Sequence, residues 1–172
     1  MKKHRRKTAG RLSALLSLLL VATMAQPLFQ TRAAENDVTM DGNVTWSYLD
    51  DGSDPAGDST TAGYDRTSWT KDDYDISAWK TATGPFGAKK GKINDLGGGC
   101  TPKTLLTQYK ADGTTDIEAF FFRTDVTIPD ASKVTKISGS VIYDDAATVY
   151  VNGVKIAGFD DDSITGNLQY GG

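Results

Sequence analysis

Aromatic side chains in polar sequence are the first residues whose chemistry suggests ligand contact. Trp69 and Tyr64 lie in a stretch rich in Asp, Gly, Ser and Thr, and loops carry a large share of binding residues. The C–H faces of a pyranose pack on aromatic rings, so these two residues predict a carbohydrate-binding platform. Trp46 belongs to an alternating apolar pattern instead, which predicts burial in a core. Core burial is also the alternative for Trp69 and Tyr64.

Acidic residues offer a second chemistry, because Ca²⁺ binds six to eight oxygen ligands. Asp50, Asp160 and Asp162 are the candidate ligands for a structural Ca²⁺. The run 50–54 superficially resembles an EF-hand loop, but its glycine stands at the third position rather than the sixth, and Thr61 replaces the bidentate glutamate. Solvated turns that keep the protein soluble are the favoured alternative. A glycosidase is disfavoured, because no two acids are marked as a pair in a cleft.

Nucleophilic and metal-assisted catalysis lack their usual residues after position 34. His4 is the only histidine and Cys100 the only cysteine. The sequence therefore disfavours a Ser-His-Asp triad, a Cys-His dyad and a histidine-ligated metal centre within residues 35–172. The same count excludes an intrachain disulfide. We expect no catalytic residue in this chain.

The first 34 residues have the pattern of a helical secretory signal peptide. They carry seven Lys or Arg and no acid, and an apolar run extends over residues 12–25. This run of 14 residues is short for a membrane span, which needs about 20, so an uncleaved anchor is the less favoured alternative. The pattern predicts a secreted, extracellular protein, with no membrane partner after signal cleavage.

Residues 35–172 form the predicted mature domain, and their charge restricts its partners. They hold 12 basic and 22 acidic residues, a net charge of −10. Nucleic acid is disfavoured because phosphate binding needs a basic surface. An anionic membrane surface is disfavoured for the same reason.

The sequence predicts that short strands position the candidate binding residues. Thr, Val and Ile far outnumber Leu after residue 34, which favours strands over helix bundles. Strands are predicted over 43–49, 119–128 and 134–143, with a hairpin at Asn152-Gly153 between 148–151 and 154–156. In 119–128, Phe122 shares one face with Phe120, whereas Phe121 and Arg123 share the other, predicted wet, face. Helical turns are predicted over 75–79 and 102–108. The pattern indicates an all-β, antiparallel β-sandwich.

The order of several motifs resembles a known family. They are W-x-Y-x-D (46–50), D-D-Y-D-x-S-x-W-K (72–80), a GPFG turn (84–87), an aromatic-Arg strand (120–123), Y-D-D-A (143–146) and V-Y-V-N-G (149–153). Together they look like the galactose-binding-like jelly-roll domains of secreted bacterial proteins. The tail 158–172 resembles the version found N-terminal to calcineurin-like metallophosphoesterase domains.

The resemblance implies a galactose-binding-like jelly roll over residues 35–172 that is incomplete at its C-terminus, because the family's domain continues past this point. It implies burial of Trp79, and a structural Ca²⁺ occurs in some relatives. The Asp-x-His, Gly-Asp and Gly-Asn-His motifs that hold two metal ions in metallophosphoesterases are absent. Those ions would belong to a downstream catalytic domain.

The expected function is therefore that of a non-catalytic N-terminal β-sandwich in a secreted multidomain hydrolase, with a metallophosphoesterase as the first choice. Its expected partners are a glycan and the downstream catalytic domain of the same chain. One alternative is a carbohydrate-binding module of a secreted glycan-active protein. The other is a structural spacer of a cell-surface protein.

Overall fold

Short strands joined by long polar loops make up the structure, a computed structural model that describes residues 40–169. The predicted signal peptide lies outside these residues. The strands are β1 (Thr45–Leu49), β2 (Lys80–Thr83), β3 (Phe86–Gly87), β4 (Thr104–Leu105), β5 (Phe121–Arg123), β6 (Ala147–Val151) and β7 (Val154–Phe159). Two 3₁₀ turns, Ser68–Thr70 and Ala131–Lys133, are the helical elements of the described part. The all-β prediction is confirmed, while the jelly-roll topology stays a prediction.

The central sheet has the order β2-β1-β5 and is antiparallel throughout. Tyr48 of β1 stands opposite Phe122 of β5, and their rings stack at 6.4 Å between centroids. Phe86 of β3 packs on both rings, at 5.2 Å from Tyr48 and 4.9 Å from Phe122. This face of the sheet therefore carries the first aromatic cluster of the core.

The opposite face of β5 is also covered, so the wet face predicted for this strand is wrong. Phe121 is buried and meets the edge of Trp69 at 5.1 Å. Arg123 points to the same side, since alternate residues of a strand share a face. Its guanidinium contacts the backbone of the loop that carries Trp69. The loop between β1 and β2 supplies this cover, which an alternating pattern alone does not reveal.

The helix predicted over 102–108 is also wrong. Thr104 pairs in parallel with Phe86, and its amide donates to the carbonyl of Pro85 at 3.1 Å. Leu106 N donates to Gly87 O at 3.1 Å in the same way. The backbone groups of this segment thus bond across to β3 instead of along a helix. Over 75–79 a single turn forms, closed by Trp79 N donating to Ile76 O at 2.9 Å.

The Asn152-Gly153 hairpin is confirmed. β6 and β7 pair antiparallel on either side of it, and φ is +46° at Asn152 and +83° at Gly153. A type I′ turn requires positive φ at both of its central residues. The tip is anchored, because Gly153 N donates to Thr70 O at 3.0 Å. The hairpin therefore meets the 3₁₀ turn that contains Trp69.

The strand predicted over 134–143 is not formed. Residues 134–143 pair with no neighbouring strand, and Ile137 and Ile142 are 63% and 76% exposed. The strand predicted over 119–128 shortens to β5. In the part of the chain that the structure describes, no helix has the length and apolar character needed to cross a membrane.

Candidate functional site

The polar loop between β1 and β2 is held in shape by its own aspartates. Asp54 accepts a hydrogen bond from Ala56 N at 2.8 Å, Asp58 from Thr60 N at 2.8 Å, and Asp65 from Thr67 N at 3.0 Å. Each bond spans two residues, the pattern by which Asp imitates a backbone turn. Bonding from Lys71 and Thr67 lowers the pKa of Asp65 to about 2. These acids thus serve as turn formers.

This loop borders a shallow cleft of about 310 Å³ that is open to solvent. Its wall is formed by Ala56, Gly57, Asp58, Thr61, Ala62, Gly63, Tyr64, Asp65 and Ser68. The Tyr64 ring is the aromatic member of this wall, beside two glycines and several hydroxyl groups. A surface of that kind offers both a stacking face and hydrogen-bonding partners.

Asp54 fixes the position of Tyr64. The Tyr64 hydroxyl donates to Asp54 Oδ2 at 2.6 Å, and burial followed by this bond raises the pKa of Tyr64 to about 12. The other oxygen, Oδ1, accepts from Asn167 Nδ2 at 2.8 Å. Asn167 also donates to Arg66 O at 2.8 Å, and Arg66 donates to Ile164 O at 3.2 Å. The cleft wall is therefore tied to the segment 164–167, about a hundred residues later.

Trp69, the other predicted platform residue, lies in a second aromatic cluster. Its ring centroid is 5.1 Å from Phe121, 6.0 Å from Tyr150 and 6.2 Å from Trp79. Tyr74 meets the edge of Trp79 at 6.1 Å. Trp69 follows the cleft residue Ser68 in the chain but packs against β5 and β6. The structure thus places Tyr64 in the cleft and Trp69 in the packing that supports it.

The three predicted Ca²⁺ ligands have separate surroundings. Asp50 is 1% exposed, and its oxygens accept from Lys80 Nζ at 2.7 Å and Thr107 N at 2.8 Å. Asp160 accepts from the Tyr143 hydroxyl at 2.7 Å, and Asp162 is exposed. Across residues 40–169, no group of three or more His, Cys, Asp or Glu side chains is placed to hold a metal ion. The structure does not bring the three ligands together.

Asp161, which the sequence reasoning missed, is the most engaged acid of that segment. It accepts from Thr148 Oγ1 and from Lys155 Nζ, each at 2.7 Å. It also lies against Gly158, where an added Cβ would clash with its carboxylate. Asp161 thereby joins the chain after β7 to the hairpin. In the sequence, Gly158 three residues earlier was the one signal that a side chain packs closely there.

Arg123 was likewise missed, although the sequence marked it as part of an aromatic-Arg strand. It donates to the carbonyls of Trp69 at 3.3 Å, of Lys71, and of Asp72 at 3.3 Å. Only 12% of its side chain is exposed. Arg123 thereby fixes the loop that carries Trp69.

Hydrogen bonds through Asp54 and Asn167 hold the wall of the cleft in one arrangement. Comparison with known protein families, with curated proteins and with solved structures finds no match for this chain. A functional conclusion therefore depends on the residues and the geometry of the cleft.

Proposed function

We propose that this chain is a non-catalytic β-domain of a secreted hydrolase and that its own contribution is weak glycan binding. The cleft between residues 56 and 68, with Tyr64 in its wall, is the observation that carries the proposal. The resemblance of the motif order to galactose-binding-like jelly rolls supports the sandwich fold. The same resemblance makes a metallophosphoesterase the first choice for the parent enzyme.

The composition of the cleft favours a neutral sugar. The cleft has a volume of about 310 Å³ and is open to solvent, so a ligand would keep much of its surface in water, in accord with weak binding. A pyranose presents an apolar face to an aromatic ring and hydroxyl groups to its surroundings, and the wall supplies Tyr64, Thr61 and Ser68 for these contacts. Asp58 and Asp65 in the same wall disfavour an anionic ligand.

We expect Tyr64→Ala to lower the affinity for the best-binding neutral glycan about tenfold, because a stacking contact of about 1.4 kcal/mol is lost. Tyr64→Phe should bind within about threefold of wild type, since the ring is kept and only the bond to Asp54 is lost. A glycan array on the full chain identifies the ligand, and isothermal titration measures the variants.

Tyr143→Ala is the matched control for this experiment. Tyr143 is an exposed tyrosine whose hydroxyl also donates to an aspartate, Asp160, but it lies outside the cleft wall. Its affinity should equal that of wild type. Circular dichroism checks that each variant is folded. No binding to any neutral glycan, or equal binding by Tyr64→Ala and wild type, would refute the glycan part of the proposal.

The parent enzyme is tested by the coding sequence that follows the Gly172 codon. Asp-x-His, Gly-Asp and Gly-Asn-His motifs there would support the metallophosphoesterase. A glycosidase domain would support the carbohydrate-binding module, and a wall-anchoring LPxTG motif would support the spacer. Either of these two results would replace the first choice.

A further inference from the structure

A local excess of lysine stands out against the acidic composition of the domain. Five of the 12 basic residues of 35–172 lie between positions 89 and 110, where Asp95 is the single acid. The rest of 35–172 holds seven basic and 21 acidic residues, a net charge of −14. The stretch 89–110 therefore carries +4 within a strongly negative molecule.

Three of these lysines are brought together by a tight turn. Lys89 N donates to Lys92 O at 2.9 Å, and Lys92 N donates to Lys89 O at 3.3 Å. The central residues, Lys90 and Gly91, have φ of +56° and +68°. This is the pattern of a two-residue type I′ hairpin. We call residues Lys89–Lys92 the lysine turn.

Lys90 is an unusual residue for its position. Left-handed φ is uncommon outside glycine, and Asn is favoured among the exceptions. The hairpin after β6 follows that preference with Asn152-Gly153, at similar φ values. The lysine turn instead places a long cationic side chain where the backbone disfavours it, and such strain is typical of functional positions.

The lysine turn is held against the segment that follows β4. Gly91 N donates to Gln108 Oε1 at 2.8 Å. A Cβ at Gly91 would lie 3.4 Å from the Tyr109 ring, so this glycine permits a close approach of the two segments. Lys110 follows Tyr109 in the chain and lines a separate small depression together with Glu118. The cations are thus presented on a docked structure.

Carboxylates do not neutralise these cations directly. Among the described residues, Lys89, Lys90, Lys92 and Lys110 form none of the ion pairs within 4.0 Å. Two acids of the neighbouring loops have other partners: Asp95 accepts from Gly97 N at 2.8 Å and Asp116 from Gln108 Nε2 at 3.2 Å. The Lys89 ammonium donates to the carbonyl of Asp95 at 3.1 Å, which leaves its charge in place. The lysine side chains are exposed, so their charges are available to a ligand.

We propose that the lysine turn binds a linear anionic polysaccharide that carries carboxylate or sulfate groups. Lysine ammonium groups act as hydrated point charges, which suits a polymer of spaced charges more than a bidentate ligand. A slender chain reaches a small basic patch without approaching the acidic remainder of the surface. A membrane or a nucleic-acid duplex is broad and anionic, and the remaining −14 would repel it. The proposal does not depend on glycan binding in the Tyr64 cleft.

The test compares two triple variants of the full chain with equal charge. Lys89→Gln/Lys90→Asn/Lys92→Gln removes the cations of the turn and supplies the Asn-Gly sequence that such a turn prefers. Lys71→Gln/Lys133→Gln/Lys136→Gln removes three exposed lysines elsewhere. Polygalacturonate, dextran sulfate and neutral dextran are titrated at about 50 mM and about 200 mM NaCl, below and above the physiological ionic strength of about 150 mM.

Wild type and the control should bind both charged polymers but not dextran, and binding should weaken with salt. Three neutralised charges correspond to a slope of about −2 in a plot of log affinity against log salt concentration, or about 20-fold over this salt range. The lysine-turn variant should lose at least about tenfold at the lower salt. Binding to polygalacturonate but not to dextran sulfate would identify carboxylate as the recognised group. Binding to dextran sulfate alone would identify sulfate.

Equal binding by the two triple variants would overturn the proposal. So would binding to phosphatidylserine vesicles or duplex DNA that exceeds polysaccharide binding and requires the lysine turn. Tyr64→Ala should bind the charged polymers like wild type. Loss in that variant alone would assign the polymers to the cleft and refute the lysine turn as their site.

Discussion

Replacing Asp50 with alanine is expected to lower the free energy of unfolding by about 2–3 kcal/mol. This carboxylate is 1% exposed and joins β1 to two later segments, through Lys80 and through the amide of Thr107. Its loss leaves the amide of Thr107 without its acceptor and a cavity in place of the carboxylate. Because Lys80 is half exposed, its ammonium regains water, which keeps the effect below that of a fully buried ion pair.

The contribution of Asp50 should also depend on pH. Burial is the largest single influence and raises its pKa, but hydrogen bonds from Lys80 and Thr107 outweigh burial, so the folded-state pKa lies below the ordinary value of 3.8. A depressed pKa means that the unfolded chain takes up the proton more readily. The stabilisation is therefore complete above pH 3.8 and is lost as the pH falls through the folded-state pKa.

Urea denaturation of wild type, Asp50→Ala, Asp50→Asn and Asp125→Asn measures both effects. Asp125 is 85% exposed, so its variant should stay within about 0.5 kcal/mol of wild type. The difference between wild type and Asp50→Asn should be constant near neutral pH and shrink below pH 3.8. A difference unchanged across that range would contradict the assignment of Asp50 as a buried, charged anchor.

Local sequence patterns predicted the secondary structure correctly where a single segment determines it. Asn152-Gly153 fixes its hairpin through φ alone, and the alternation around Tyr48 fixes a strand. The pattern of apolar and polar residues gave wrong predictions where a strand depends on a pairing partner elsewhere in the chain. Residues 134–143 have a strand pattern but no neighbouring strand, and residues 102–108 lie as an extended segment on β3. The periodicity of a segment indicates which of its faces is apolar, whereas its strand-pairing partner depends on the rest of the chain.

The candidate site shows the same division. Tyr64 was predicted because an aromatic ring in polar sequence is a local signal, and it lines the cleft. Asp54 and Asn167, which hold the wall in place, are 113 residues apart and nothing in their local sequence joins them. The Ca²⁺ prediction grouped Asp50 with acids of the last segment, but its carboxylate bonds Lys80 instead. Long-range side-chain pairing is not encoded in local spacing.

Arg123→Ala is expected to destabilise the fold by about 2–4 kcal/mol, the second large effect. The guanidinium donates to three backbone carbonyls of the loop 69–72, and bonds from a charged donor are stronger than neutral ones. Arg123→Lys keeps the charge, but one ammonium cannot replace the planar fork, so about half of the loss should remain. Chemical denaturation and hydrogen exchange of the loop amides measure the effect.

The control again is Asp125→Asn, because Asp125 contacts the same guanidinium at 3.9 Å from an exposed position. If the exposed ion pair were the main contribution of Arg123, Asp125→Asn and Arg123→Ala would lose the same stability. The structure predicts otherwise, since Phe121 and Arg123 approach the Trp69 loop from one face of β5, one through ring packing and one through hydrogen bonds. Releasing Arg123 should therefore loosen the loop that follows Ser68, the last residue of the cleft wall. Glycan binding should then be weaker in Arg123→Ala than in Asp125→Asn.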